Sequence, residues 1–303
     1  MTSHTAAVVG QLARDLVLTV DRLPAPGTAA DATGRREQLG GKGANQAVAL
    51  AQLGVRPTLV AVAGDDVIGD VLLDQARRDG IDVSTVVRRR SVLTGLIVEL
   101  LEANGRWRYA QDLPLLTEQD VRGAAAAIAR SDAVLVQLQQ PAAAALAAAR
   151  IGHDAGRLVV LDGAPADERR AELLAVADVV RADDREAELL LGEPSSVRRA
   201  AAELLDAGPQ LVAVALPEGG NLFVWRDGHV LVPLTDDDVV DTTGAGDALV
   251  AALTDALLRG EDYREAACWA VAAAGATVGH PSGRPALSEA ALRDRAAALR
   301  KRL

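Results

Sequence analysis

Two glycine-rich stretches carry the residue types that chemistry on an anion needs. In Asp241-Thr242-Thr243-Gly244-Ala245-Gly246-Asp247 the glycines permit a tight turn, and the apolar segment 248–258 that follows reads as a helix. Such a turn aims backbone N–H groups at one point, the partial positive charge of the helix start favours an anion there, and Asp247 sets a carboxylate beside it. An anion cradle next to a base suits phosphoryl transfer. An ordinary loop-to-helix turn with Asp247 as a first-turn acid accounts for the same residues, so this motif alone leaves both readings open. The second stretch, Gly40-Gly41-Lys42-Gly43-Ala44-Asn45-Gln46, runs directly into a helical segment at 47–53 that Gly54 stops.

The elements that must position these residues follow from the apolar pattern. Short β-type runs at 6–9, 58–63, 133–136, 158–161, 179–180 and 211–216 alternate with helical segments at 67–78, 118–129, 142–150, 171–175, 184–191 and 197–205. That order predicts an α/β fold with a mostly parallel sheet covered by helices on both faces, which binds ligands beyond the carboxyl ends of its strands. Residues 40–45, 183–186 and 241–247 each follow a strand-like run, which brings all three to that edge. Segments within about 12–39 and 94–110 are β-patterned without alternating helices and include a hairpin signal at Asn104-Gly105. They read as a small β lid that excludes water from a reactive phosphate, or as strands that simply extend the sheet.

The 303 residues show no linker between halves and are read as one domain. Half of them are hydrophobic but only 2% are aromatic, so the core must be built from Ala, Val and Leu. The net charge of −10 argues against a nucleic-acid backbone or an anionic membrane as partner. Arg88, Arg89 and Arg90 form the notable cationic run and read as a solvated strand end or loop rather than a docking site, as does the acidic run at 236–238. Cys268 is the single cysteine, so an intrachain disulfide and a Cys-based metal site are excluded. No stretch of 18 uninterrupted apolar residues occurs and residues 1–5 lack a signal-peptide pattern, so a soluble cytoplasmic protein is expected.

Together the two motifs resemble the ribokinase family of carbohydrate kinases (the PfkB family). Residues 40–47 are similar to its N-terminal signature, 241–247 to its C-terminal one, and the resemblance covers nearly the whole chain. It implies a ribokinase-like three-layer αβα fold with a small β lid. It also implies ATP-dependent phosphorylation of a hydroxymethyl group of ribose or a related sugar; a nucleoside acceptor, or a non-catalytic sugar- or nucleotide-binding sensor, is the alternative. Carried over residue by residue, Asp247 is the base, and Gly244, Ala245 and Gly246 form the anion hole. Asp15, Gly41, Lys42, Asn45 and Gln139 bind substrate, Asp183 and Gly220 bind nucleotide, and Glu186 holds Mg²⁺ through water. Asp241 and Thr243 are candidate oxygen donors to an activating K⁺. ATP with Mg²⁺, a small sugar and a second copy docked through the lid are the implied partners. An aspartate with the ordinary pKa of about 3.9 is ionised at neutral pH and able to take the hydroxyl proton.

The chain also departs from the family pattern. Ala13 stands where an Asn is usual, Gln139 where ribokinases carry a ribose-contacting Glu, and Asp183 where an Asn precedes the Glu186 position. Residues 215–220 replace a Thr-Leu-Gly nucleotide loop, and the tail at 278–283 matches the family loop poorly. These substitutions leave the substrate open.

Overall fold

The computed structural model describes residues 4–102, 106–192, 196–217, 219–235, 239–279 and 284–303. The hairpin turn expected at Asn104-Gly105, the acidic run at 236–238 and the loop at 280–283 lie outside them. In chain order the first half comprises β1 Thr5–Val9, β2 Ala13–Val20, β3 Ala32–Gly40, α1 Lys42–Gln52, β4 Arg56–Val60, β5 Val62–Gly64 and α2 Val67–Arg78. It continues with β6 Val87–Arg89, β7 Gly95–Glu102, β8 Trp107–Asp112, α3 Glu118–Gly123 and α4 Ala125–Arg130. The second half begins with β9 Ala133–Gln137, α5 Ala142–Asp154, β10 Leu158–Asp162, α6 Arg170–Ala175, β11 Val179–Ala182, α7 Asp184–Leu191 and α8 Val197–Leu205. It ends with β12 Leu211–Ala215, β13 Asn221–Trp225, β14 Gly228–Val232, α9 Ala245–Leu258, α10 Tyr263–Val278 and α11 Glu289–Arg300.

The central sheet has the order β14-β13-β12-β11-β10-β9-β1-β4. From β12 to β4 all neighbours are parallel, and β13 and β14 add an antiparallel edge. β1 shows why both faces are covered: its side chains alternate, and all of residues 6–9 are apolar. Ala6 and Val8 join the core under α1, α2, α9, α10 and α11, whereas Ala7 and Val9 join the core under α3 to α8. The scarcity of aromatics is met by close helix approach. α9 and α10 lie against each other and bury Ala248, Ala251, Ala252, Ala266, Ala270 and Ala273 completely.

A second, four-stranded sheet has the order β3-β2-β7-β8, with β2 and β7 parallel. Register pairs Asp15 with Ile97 and Val17 with Glu99, so the pleat puts these four side chains on one face. Asp15, Val17 and Glu99 are buried, while β8 at the edge is exposed along its whole length.

Three local expectations are corrected. Residues 118–129 are two helices, because the backbone at Ala124 leaves the helical region (φ −93°, ψ 3°) just after Gly123. Residues 58–63 are split at Ala61, and β5 leaves the central sheet to pair with β6. The 241–247 motif does not close a strand: β14 ends at Val232, and the loop is pinned instead to α10, with the N–H groups of Val240 and Asp241 donating to the Val278 carbonyl at 2.9 and 3.1 Å. The arginine run is also less solvated than expected. Arg88 donates to the Gly64 carbonyl (2.9 Å) and to Asp70, and Arg89 to the Leu115 carbonyl (2.9 Å) and to Asp120, which leaves Arg90 exposed.

Candidate active site

α9 follows the N-cap Gly244, whose left-handed backbone (φ 73°) few other residues adopt, and no side chain caps the helix. Asp247 stands in its first turn and is only 5% exposed. Two residues from the other motif reach it: Asn45 Nδ2 donates to Asp247 Oδ2 at 3.1 Å and Gln46 Nε2 to Oδ1 at 3.4 Å. Both donors sit in the first turns of α1, on the turn that follows β3. That turn is packed against β2, since a side-chain carbon on Gly40 would fall 1.8 Å from Asp15 Oδ2. The Asp15 carboxylate in turn accepts the Gly41 N–H.

A second group of contacts joins α1 to the carboxyl edge of the central sheet. Lys42 Nζ lies 3.4 Å from Glu186 Oε1, which also accepts Gln139 Nε2 at 2.7 Å. Gln139 Oε1 accepts Gln137 Nε2 at 2.8 Å, and Gln137 Oε1 accepts the Gln11 N–H at 2.8 Å. Asp162, at the end of β10, accepts Gln46 Nε2 on Oδ2 (2.8 Å) and Arg181 Nη1 on Oδ1 (3.1 Å). Asp183 and Glu186 form a capping box for α7: the Asp183 carboxylate accepts the Glu186 N–H at 2.8 Å, and Glu186 Oε2 accepts the Asp183 N–H at 3.0 Å.

Burial dominates the electrostatics. It pushes Asp247 up to about 7, with Asp162 adding to the rise, while Lys42, the Asn45 hydrogen bond and Arg181 oppose it. Asp247 is therefore not the fully ionised aspartate that its ordinary pKa implies; near pH 7 it is poised between its two forms. Asp15 rises to about 7 through burial and the charges of Glu99 and Asp247, and Glu99 rises to about 7 through burial and Asp241. Burial works against the Lys42 ammonium, but Asp162, Asp247 and Glu186 outweigh it and hold its pKa above the ordinary value.

The structure thus brings Asp15, Gly41, Lys42, Asn45, Gln139, Glu186 and Asp247 into one linked set. Asp241 enters electrostatically, and its Oδ1 accepts the Thr243 N–H at 2.9 Å, tightening the loop before Gly244, Ala245 and Gly246. Gly220 stands apart, in the hairpin between β12 and β13, where its carbonyl accepts the Leu216 N–H at 3.0 Å. Sequence reasoning missed Gln137, Asp162 and Arg181. A signal existed: each is a polar residue in the last two positions of an otherwise apolar parallel strand, where open α/β sheets place their ligands. A cleft of about 440 Å³ at the opposite edge is lined by Leu158, Asp178, Val179, Gln210 and Tyr263 among others, and contains none of the residues of this linked set.

Among the described residues no three His, Cys, Asp or Glu side chains cluster to hold a metal by themselves. Mg²⁺ typically keeps several waters and uses one or two carboxylates plus substrate phosphates. Glu186, whose two oxygens are already engaged, fits contact through water with an ion that arrives with a nucleotide. No described helix is long and apolar enough to cross a membrane.

Comparison with known proteins bears on this geometry. A model of the pfkB family carbohydrate kinase matches residues 3–290. The ribokinase of Haemophilus influenzae is 32% identical over 284 residues, covering 90% of this chain and 92% of that protein. The bifunctional ribokinase/ribose-5-phosphate isomerase A of Fructilactobacillus sanfranciscensis is 31% identical over 258 residues, 82% of this chain but 48% of that longer protein. The structure of Arabidopsis thaliana ribokinase complexed with ribose and ATP superposes with a TM-score of 0.81 at 25% identity, covering 98% of this chain and 99% of that one.

Proposed function

The chain belongs to the pfkB family of carbohydrate kinases, and from that premise we propose that it moves the γ-phosphoryl group of ATP to the hydroxymethyl group of ribose or a closely related sugar. The observation that carries this reading is the meeting of the two motifs: Asn45 and Gln46 donate to Asp247 across some 200 positions of sequence. The sugar hydroxyl oxygen attacks the γ-phosphorus, its proton passes to Asp247, and the bond to the bridging oxygen breaks with its electron pair leaving on ADP. Backbone N–H groups of the turn at Gly244, Ala245 and Gly246 stabilise the charge on the transferring group.

Asp15, Gly41, Lys42, Asn45 and Gln139 hold the sugar, and Asp183 and Gly220 border the nucleotide. Glu186 would hold Mg²⁺ through water, and the ion would supply charge neutralisation on the phosphates. Asp241 and Thr243 are the side of the site where K⁺ would act. The second sheet acts as a lid, because it carries Asp15 and Glu99 on its covered face. Trp107 and Tyr109, stacked at 5.4 Å on the exposed edge strand, support a homodimer through that lid. The reading places the enzyme in the cytoplasm, with its ATP.

The test is ADP release with ATP and Mg²⁺ across ribose, deoxyribose, hexoses and nucleosides. We expect turnover with ribose or a near relative. Preference for a nucleoside makes the acceptor class wrong, and calorimetric sugar binding without turnover under any donor or metal makes the protein a sensor.

A further inference from the structure

We propose that Arg181 is a further catalytic residue, a fixed guanidinium that stabilises the charge on the phosphoryl group in transit, with Asp162 as its positioning partner. The inference rests on the phosphoryl-transfer reading above and adds a group to it.

Arginine is rarely buried unless fully paired, yet Arg181, one residue before the end of β11, is only 7% exposed. Its pairing is incomplete. Nη1 reaches Asp162 Oδ1 at 3.1 Å, while Nε is buried with no acceptor. A buried donor in that state is destabilising until an acceptor arrives, and three observations say where an acceptor would arrive.

First, the guanidinium lies against the phosphate turn itself. A side-chain carbon on Gly246 would stand 2.7 Å from Nη2 and 2.8 Å from Nη1, so glycine is what allows the guanidinium to approach. The cation and the amides at the start of α9 therefore border the same space. Second, the group is held on both sides of its partner: Asp162 spends Oδ1 on Arg181 and Oδ2 on Gln46, and Gln46 also touches Asp247 Oδ1. Arg181, Asp162, Gln46 and Asp247 form one chain that ties the cation to the base. Third, Lys42, the other cation here and only half-buried, is drawn to Glu186 at 3.4 Å. Arg181 keeps donors to spare, and its planar fork matches a phosphoryl group in a way an ammonium cannot.

The test is steady-state kinetics on the sugar turned over by the wild-type enzyme, using Arg181→Ala, the pair Arg181→Ala with Asp162→Asn, and Arg181→Lys. We expect kcat to fall by about 10²–10³ in the first two, as for loss of one donor to a developing anion, with calorimetric sugar affinity within about threefold of wild type. Millimolar guanidinium, but not sodium at equal ionic strength, should restore part of the lost rate in the double variant. Arg181→Lys keeps the buried charge, folds, and should still lose about tenfold or more, because the fork is gone. Were Arg181 there only to neutralise Asp162, the double variant would recover wild-type kcat; that recovery, or wild-type kcat in the single variants, overturns the inference. Wild-type enzyme that turns over no sugar overturns the phosphoryl-transfer reading and this inference together. Normal Arg181 variants beside an active wild type overturn this inference alone.

Discussion

Asp247 is an acid whose work depends on how burial and charge are balanced around it. With its pKa raised to about 7, the carboxylate that can take a proton is the minor form below that value and the major form above it. We expect kcat/KM to rise about tenfold per pH unit below pH 6 and to level off above pH 8; a flat profile from pH 5 to 9 contradicts this. The residue's identity was legible in the sequence because its glycines and its position before an apolar helix are local signals. Its pKa was not legible, because it is set first by burial in the folded site and then by Lys42, Asp162 and Arg181, which lie far away in the chain. Asp183 shows the reverse case, where the sequence suggested a nucleotide contact and the structure adds that its carboxylate is the cap of α7.

At the scale of elements, the packing of β2 against the turn between β3 and α1 shapes the proposed sugar site. Gly40 leaves room for the Asp15 carboxylate that no other residue would leave. Gly40→Ala should therefore raise the sugar KM by tenfold or more while the ATP KM moves little, as measured by varying each substrate in turn. Equal changes in both would point to general disruption of α1. β7 carries a different cost. Glu99 is buried, one of its oxygens has no partner, and its folded pKa of about 7 lies above an unfolded value of about 4.3. Between those values the folded chain keeps a proton that the unfolded chain has lost, so this group makes stability fall as pH rises from about 4 to 7. Glu99→Gln removes the effect. Thermal unfolding should show a gain of a few degrees in Tm at pH 8 that disappears at pH 4; the same gain at both would mean the charge is not responsible.

For the whole molecule, alternating apolar runs were enough to read a mostly parallel sheet with helices on both faces, because strands such as β9 to β12 are apolar at nearly every position. They were not enough to show which strands neighbour one another, that β5 pairs with β6, or that β13 and β14 turn back antiparallel, since those depend on contacts distant in sequence. The second sheet also leaves an edge exposed at β8. Light scattering should report a dimer, and Trp107→Ala with Tyr109→Ala should shift it towards monomer; a monomeric wild type contradicts docking through that edge. The most direct test of phosphoryl transfer at the meeting of the two motifs is a single-turnover measurement on Asp247→Asn with saturating ATP and Mg²⁺, paired with calorimetric titration of the sugar. We expect the rate to fall by about 10²–10⁴ with the sugar Kd within about threefold of wild type. A wild-type rate in that variant would remove Asp247 as the base.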